Sequence, residues 1–401
     1  MIRDKFTSPF AQFSREVNIL IVASFFVALG FGIVLPAIPV FARSFGVNNA
    51  AVGLIVSAFA VARFSSGLIS GKLVDHFGER AIFSSGVGMV ALFTLLVGLS
   101  NSYQQLLIFR SAGGLGSSMF SVAAGSVIMR SVSDEHRGRA QSLYNGAFLV
   151  GGITGPAIGG VLSLISLRAP FFAYSFTLAI SGLIAFFFLT GANLGKRAKD
   201  SGAVAHTTIR QALALRPYRY ALVITFLTTW VLFGLRSSVL PIFVIEELNS
   251  TTAVVGYGFT LSAIFQGFLL LRAGKISDTK GRRFAALVGT SIVALGVLVM
   301  VFTIHPWMYL LSMVILGIGG AYLSTVPATV VGDVIGGKGG QVIALFQMAG
   351  DAGMMVGPIV VGAICDAYSY RTAFGATGII FLIAVVLSYR LPETRSSYLS
   401  K

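Results

Sequence analysis

What most limits the possible folds of this chain is its succession of long, unbroken apolar runs. Each is about 20 residues, the length a helix needs to cross a bilayer core of roughly 30 Å. Set against their polar breaks, they give twelve spans: 16–42, 50–70, 81–100, 103–129, 140–165, 170–191, 219–245, 252–271, 284–303, 307–331, 341–365 and 372–389. Spanning β-strands would alternate apolar and polar residues instead. Of the 401 residues 55% are hydrophobic and only 11% charged. A soluble domain carries roughly a quarter charged residues, so this chain could not cover a water-facing surface. The fold class expected is an all-α polytopic membrane protein.

The distribution of basic residues supplies an orientation. Of 29 Lys and Arg, 23 fall in the tails and even-numbered breaks, counting Arg219 at the mouth of span 7. Only Arg43, Arg168 and Arg371 fall in the opposite breaks, and three more arginines lie within spans. Cytoplasmic loops carry such an excess, so both termini are expected on the cytoplasmic side. The net charge of +15 is therefore read as topology and contact with the lipid bilayer, and no nucleic-acid partner is expected. The N-terminal stretch is too polar for a signal peptide and reads as a short cytosolic tail. A single cysteine, Cys365, excludes internal disulfides and multi-cysteine metal sites. Short loops without a periplasmic domain fit a bacterial inner membrane.

The chain repeats itself. A shift of 203 residues carries Gly71, Asp75 and Gly78 of "GKLVDHFGER" onto Gly274, Asp278 and Gly281 of "GKISDTKGRR". The same shift lays Gly114 and Gly116 on Gly317 and Gly319; one residue of slip matches Gly155–Pro156 to Gly357–Pro358. The longest break, 192–218, lies near the midpoint. The expected organisation is a six-helix bundle over 1–191, a cytoplasmic linker over 192–218 and a second bundle over 219–401. Parallel repeats of this kind are a transporter architecture, with the substrate near the midplane between them.

Three of these stretches resemble a known family. "GKLVDHFGER" is similar to the loop 2–3 signature of the major facilitator superfamily, departing from it at His76 and Glu79. "RSAGGLGSS" from Arg110 resembles the family's span 4 motif, with Gly113 where glutamine is usual. "GGITGPAIGG", Gly151 to Gly160, resembles the span 5 motif of proton-coupled drug antiporters. The resemblance covers nearly the whole chain. It implies two pseudo-symmetric bundles, transport by alternating access, a monomer, spans 2 and 11 packed across the halves, and a proton-coupling role at the position of Arg110.

The residues suggest how such a carrier would work. Gly71 and Gly78 would permit a tight turn and close helix approach. Asp75 would cap the positive N-terminus of span 11, and Arg80, Arg282 and Arg283 would bond carboxylates or headgroups. The two loops, with Gly274, Asp278 and Gly281 in the second, would latch the halves at the cytosolic side. Topology alone would also account for these charges. Four ionisable residues lie inside spans: Arg63, Arg110, Arg236 and Asp351. A charge at that depth costs roughly 2.5–3.5 kcal/mol on the mild insertion scale. Arg63 and Asp351 fall at matched depths, which suggests an ion pair bridging the halves and sensitive to protonation of Asp351. Asn145, Tyr144, Trp230, Gln266, Tyr322 and Gln347 are candidates to complete a cavity with Arg236, although helix packing alone would explain most of them. Gly151, Gly155, Pro156, Gly159 and Gly160, with Gly353, Gly357, Pro358 and Gly362 in span 11, would allow close packing and bending.

No P-loop, His-Glu-x-x-His or Gly-x-Ser-x-Gly motif occurs, and all four histidines lie in breaks. No cofactor, metal or enzymatic activity is expected. Three readings stand: a proton-coupled exporter of small amphiphiles or drugs, a transporter of a defined metabolite such as an organic anion or sugar, and a non-transporting receptor or scaffold. Three intramembrane arginines against one aspartate favour anionic or neutral substrates.

Overall fold

The computed structural model describes residues 15–131, 134–189, 208–334 and 340–394. Every element among them is helical, and twelve helices are long and apolar enough to cross a membrane. They match the twelve runs read from the sequence, with three differences in winding. Span 1 divides into Arg15–Val34 and Ala37–Arg43 around Leu35–Pro36, where proline brings no N–H to the helix ladder. Span 10 divides into Pro306–Leu323 and Val326–Val334, two residues before Pro327. Span 7 begins as Arg216–Thr229, widens to a π-helix over Trp230–Val239 and resumes α winding over Leu240–Glu246. Of the break 192–218, the described part starts at Thr208, which caps the short helix Ile209–Ala214 together with Gln211.

Each half buries its own core. Val17, Ile55, Phe83, Leu106, Phe171 and Leu178 belong to the first; Leu235, Phe243, Phe259, Tyr309 and Phe374 belong to the second. Glycine brings the helices of each half together, and the repeat reappears as geometry. A Cβ on Gly114 of span 4 would lie 2.4 Å from the Phe59 carbonyl of span 2, and one on Gly317 of span 10 would lie 2.2 Å from the Ser262 carbonyl of span 8. Two residues on, Gly116 presses span 3 at Gly86, and Gly319 presses span 9 at Gly289 and Val293. Span 4 and its counterpart span 10 are thus each wedged between two neighbours.

Spans 5 and 11 have two working faces. Gly151, Gly155 and Gly159 pack span 1 backbone to backbone; a Cβ on Gly155 would sit 2.6 Å from the Leu29 carbonyl. Gly353 and Gly357 do the same against span 7, at Phe226 and Trp230. The other face of each span meets the opposite half. Gly256 of span 8 rests on the Pro156 carbonyl and Gly160, while Gly53 of span 2 rests on the Pro358 carbonyl and Gly362 rests on Asn49. Such small-residue contacts let helix backbones approach in a membrane, where burial against lipid gives little drive. Pro156 and Pro358 each lie inside a continuous helix, Asp134–Ile165 and Gly340–Ala367.

All of these inter-half contacts lie toward the end of the molecule remote from the termini. The Asp366 carboxylate accepts from the backbone N–H of Asn49 (2.8 Å) and Ala50 (2.8 Å) and from Asn49 Nδ2 (2.9 Å), so span 11 caps the start of span 2. Arg43 Nε donates to Glu246 Oε1 at 2.7 Å, and within the second half the Tyr370 hydroxyl donates to Glu246 Oε2 at 2.7 Å. Thr252 Oγ1 donates to the Gly160 carbonyl at 3.2 Å. Toward the termini none of the described hydrogen bonds or ion pairs joins the halves, and Ile69, Phe268, Leu271, Ile343 and Met348 are exposed.

Candidate transport cavity and its charges

Among the described contacts, those of the repeated motif's arginines stay within one half. Spans 2 and 8 extend as helices to Phe77 and Lys280, so Gly71 and Gly274 are helical rather than turn residues, with no atom within 4 Å of a Cβ on either. The turns fall on Gly78 (φ 81°) and Gly281 (φ 103°), where only glycine is unstrained. The arginines tie helices within their own half. Arg80 donates through Nε and Nη2 to the Phe186 carbonyl at 2.9 and 2.6 Å, closing the end of span 6. Arg282 donates to Asp278, to Ser277 Oγ (3.0 Å) and to Asp333 Oδ2 (3.0 Å) at the end of span 10. Glu393 then accepts the backbone N–H of Arg282 (2.8 Å) and Arg283 (3.2 Å), capping span 9. Arg283 lies over the Tyr389 ring. Asp75 is exposed on the last turns of span 2; the start of span 11 that it was expected to cap lies outside the residues with described side chains. The sequence reading missed Asp333 and Glu393; for Glu393 the only local signal was the acid in "RLPETR".

The intramembrane charges occupy three different settings. Arg63, on span 2, lies within electrostatic range of Tyr144, Tyr174 and, across the halves, Asp351. Spans 2 and 11 do pack together, but the expected Arg63–Asp351 ion pair is not closed: no such contact occurs among the described ion pairs. The tight crossing at Gly53–Pro358 and Asn49–Gly362 holds these two spans together at the remote end, and the two charges sit further along toward the termini.

Arg110 does not face a shared vestibule. It is buried in the first half with its guanidinium 4.2 Å from the Phe59 ring centroid and its Nε without a partner. Stacking of this kind stabilises a desolvated arginine by about 2 kcal/mol, which offsets only part of the cost of burial.

Arg236 does line a cavity. That cavity, of about 310 Å³, lies within the second half and includes Thr225, Thr229, Leu232, Gln266, Leu316, Ser324 and Phe346 in its wall. Arg236 Nη1 donates to Ser262 Oγ at 3.1 Å, its guanidinium lies 5.2 Å from the Phe259 centroid, and its buried Nε has no partner. Arg236 projects from the π-helical stretch of span 7, and such windings recur at functional sites. Gln266 is the other cavity candidate that lies in this wall. Trp230 is instead buried against Gly357 and Phe226. Tyr322 packs on span 9 at Gly289, and exposed Gln347 is off this wall, its place taken by Phe346. Tyr144 stacks on Phe148 in the first half, 5.2 Å between centroids. Asn145 lies outside the residues with described side chains.

The Major Facilitator Superfamily pattern matches residues 20–249 and again 221–401. The chain belongs to this superfamily. Its members are transporters rather than enzymes. Multidrug resistance protein 1 of Bacillus subtilis is 24% identical over 385 residues, 94% of this chain and 96% of its own. Multidrug resistance protein MdtG of Salmonella choleraesuis is 26% identical over 392 residues, 94% of this chain and 95% of its own. Among solved structures, a bacterial homologue of the human lysosomal transporter Spinster, inward-facing and unoccupied, superposes with a TM-score of 0.78. It is 17% identical, with 94% of this chain and 96% of that one aligned. The nucleoside transporter NupG superposes at 0.76 with 12% identity, 94% of this chain and 99% of that one. These two similarities establish the fold.

Proposed function

We propose that the protein is a secondary active transporter that works as a monomer by alternating access in a bacterial inner membrane, exporting small amphiphilic or drug-like compounds in exchange for protons. The observation that carries this reading is the asymmetry of contact between the halves. They are joined at one end by glycine crossings and two carboxylate-centred contacts, at Asp366 and Glu246, with no described contact of that kind at the other. Two rigid bundles joined in this way have an obvious second arrangement, in which that seal opens and the other end closes. The excess of Lys and Arg beside the other end supports a cytoplasmic position for it and for both termini. The conformation is then the inward-open one. The relatives named for multidrug resistance, together with the packed "GGITGP" stripe, support export of drug-like compounds. Asp351 is the acid that supports proton coupling: it lies on span 11, half-buried, where the charge of Arg63 reaches it from the other half.

The test is reconstitution of the full chain in proteoliposomes with an imposed pH gradient and an internal pH dye. Proton flux that appears only on addition of a transported compound is the expected result. Asp351→Asn should leave counterflow of the compound measurable while reducing gradient-driven accumulation at least tenfold. Undiminished gradient-driven transport by that variant would remove Asp351 from the coupling step. Absence of compound-dependent flux in the wild type would remove the antiport reading.

A further inference from the structure

The second half buries a guanidinium that the protein itself leaves incompletely answered. Arg236 makes one described hydrogen bond, to the neutral Ser262 hydroxyl. No ion pair among the described residues includes it. The Tyr309 hydroxyl lies in electrostatic range but donates its own proton to the Val255 carbonyl at 2.9 Å. The buried Nε therefore keeps a donor with no acceptor. An unpaired buried charge is among the costliest features a protein can hold, and guanidinium presents five donors in a fork that matches a carboxylate or sulfonate.

Arg110 offers an internal comparison. It too is buried over a phenylalanine with an unpartnered Nε, yet the crevice beside it has no room for even a water-sized guest. Beside Arg236 there are about 310 Å³, at the lower end of the roughly 300–1,000 Å³ usual for small-molecule sites. The wall divides by chemistry. Thr225, Thr229, Gln266 and Ser324 supply polar atoms, while Leu232 and Phe346 belong to its apolar part. A single charge on one side of a mostly apolar chamber suits a guest with one negative group on an apolar body.

We propose that this cavity binds a small amphiphilic organic anion, its carboxylate or sulfonate held by Arg236 and its apolar body by the aliphatic and aromatic wall. The inference rests on the transport reading for its biological sense, and its test does not depend on transport. The full-length protein in phosphatidylcholine nanodiscs is titrated with three tritiated probes of one shape: 2-naphthoate, naphthalene-2-methanol and 2-naphthylmethylammonium. Empty discs are subtracted to remove partitioning into lipid. Saturable binding of the anion at least tenfold tighter than the alcohol, with the cation weakest, is expected. Arg236→Gln should weaken the anion about tenfold to hundredfold, the range for losing a charge-assisted hydrogen bond, and move the alcohol by less than about threefold. Arg236→Lys should fall between the two, and it carries the test if the glutamine variant does not fold. Equal affinities, preference for the cation, no saturable anion binding, or equal loss of all three probes in Arg236→Gln each overturn the proposal. Anion binding without proton-driven flux would leave this site standing and remove the antiport reading; drug-dependent proton flux without anion binding would do the reverse.

Discussion

Arg43 and Glu246 show how little one residue pair needs to contribute when it acts at a seal. Both side chains are about a third exposed, 34% and 36%, so the pair contributes at most about 1 kcal/mol. The hydrogen bond that Arg43 donates to Glu246 holds its guanidinium above its usual range, against partial desolvation that pulls it down. A raised basic group stabilises fully below its unfolded value and loses that contribution only as pH climbs through the raised one. For an arginine that lies far above working pH. Spin labels at Ser44 and Glu247 should therefore report the same separation from about pH 7 to about pH 9. Glu246→Gln removes the charge at any pH and should lower the sealed population by up to about fivefold. A seal that opens over that alkaline interval in the wild type would show that Arg43 does not hold it.

Helices meet here through backbone, which makes glycine substitutions unequal. A Cβ on Gly53 would be 2.1 Å from the Pro358 carbonyl, so Gly53→Val should keep both bundles folded and prevent their closure at the remote end. The expected readout is a longer inter-half label distance there and a loss of transport. Gly155→Ala forces spans 1 and 5 apart within one bundle and should lower stability by about 1–3 kcal/mol. Gly71→Ala meets nothing and lies in a helix, so its melting temperature should be unchanged or higher. Gly78→Ala, at φ 81°, should cost about 1–2 kcal/mol. Much of this was legible from sequence. Apolar run length gave the twelve spans, and the 203-residue repeat gave the paired wedges at Gly114 and Gly317. The span 5 motif gave the stripe at Gly151, Gly155 and Gly159. What misled was distance along the chain. Gly71 shares the motif with the turn residue Gly78, seven positions on, yet no proline stops the helix before Gly78. Arg63 and Asp351 share a depth, but depth leaves undetermined how far the halves are swung apart. Trp230 and Tyr322 looked like cavity residues because aromatic side chains serve packing and recognition equally well. The acid at Glu393 is more than a hundred residues from the helix it caps, beyond any local pattern.

At the scale of the molecule, one element touches every part of the proposed cycle. Span 7 carries Thr229, whose hydroxyl donates to the Gly350 carbonyl of span 11 at 2.8 Å, one residue before Asp351. It carries Arg236 on the cavity wall and ends at Glu246 in the seal. Cysteines at Arg43 and Glu246, joined by a short thiol cross-linker in a Cys365→Ala background, should arrest transport until the link is cleaved. Transport that persists with the link intact would mean that the seal need not open. Between Thr229 and Leu240 the π winding holds a surplus residue, and that has a genetic consequence. Removing one residue from an ordinary helix turns everything beyond it by about 100°, which would be ruinous in the tightly packed span 1. The same loss within Trp230–Val239 can be taken up by tightening to ordinary winding, so span 7 should tolerate a one-codon deletion that its counterpart cannot.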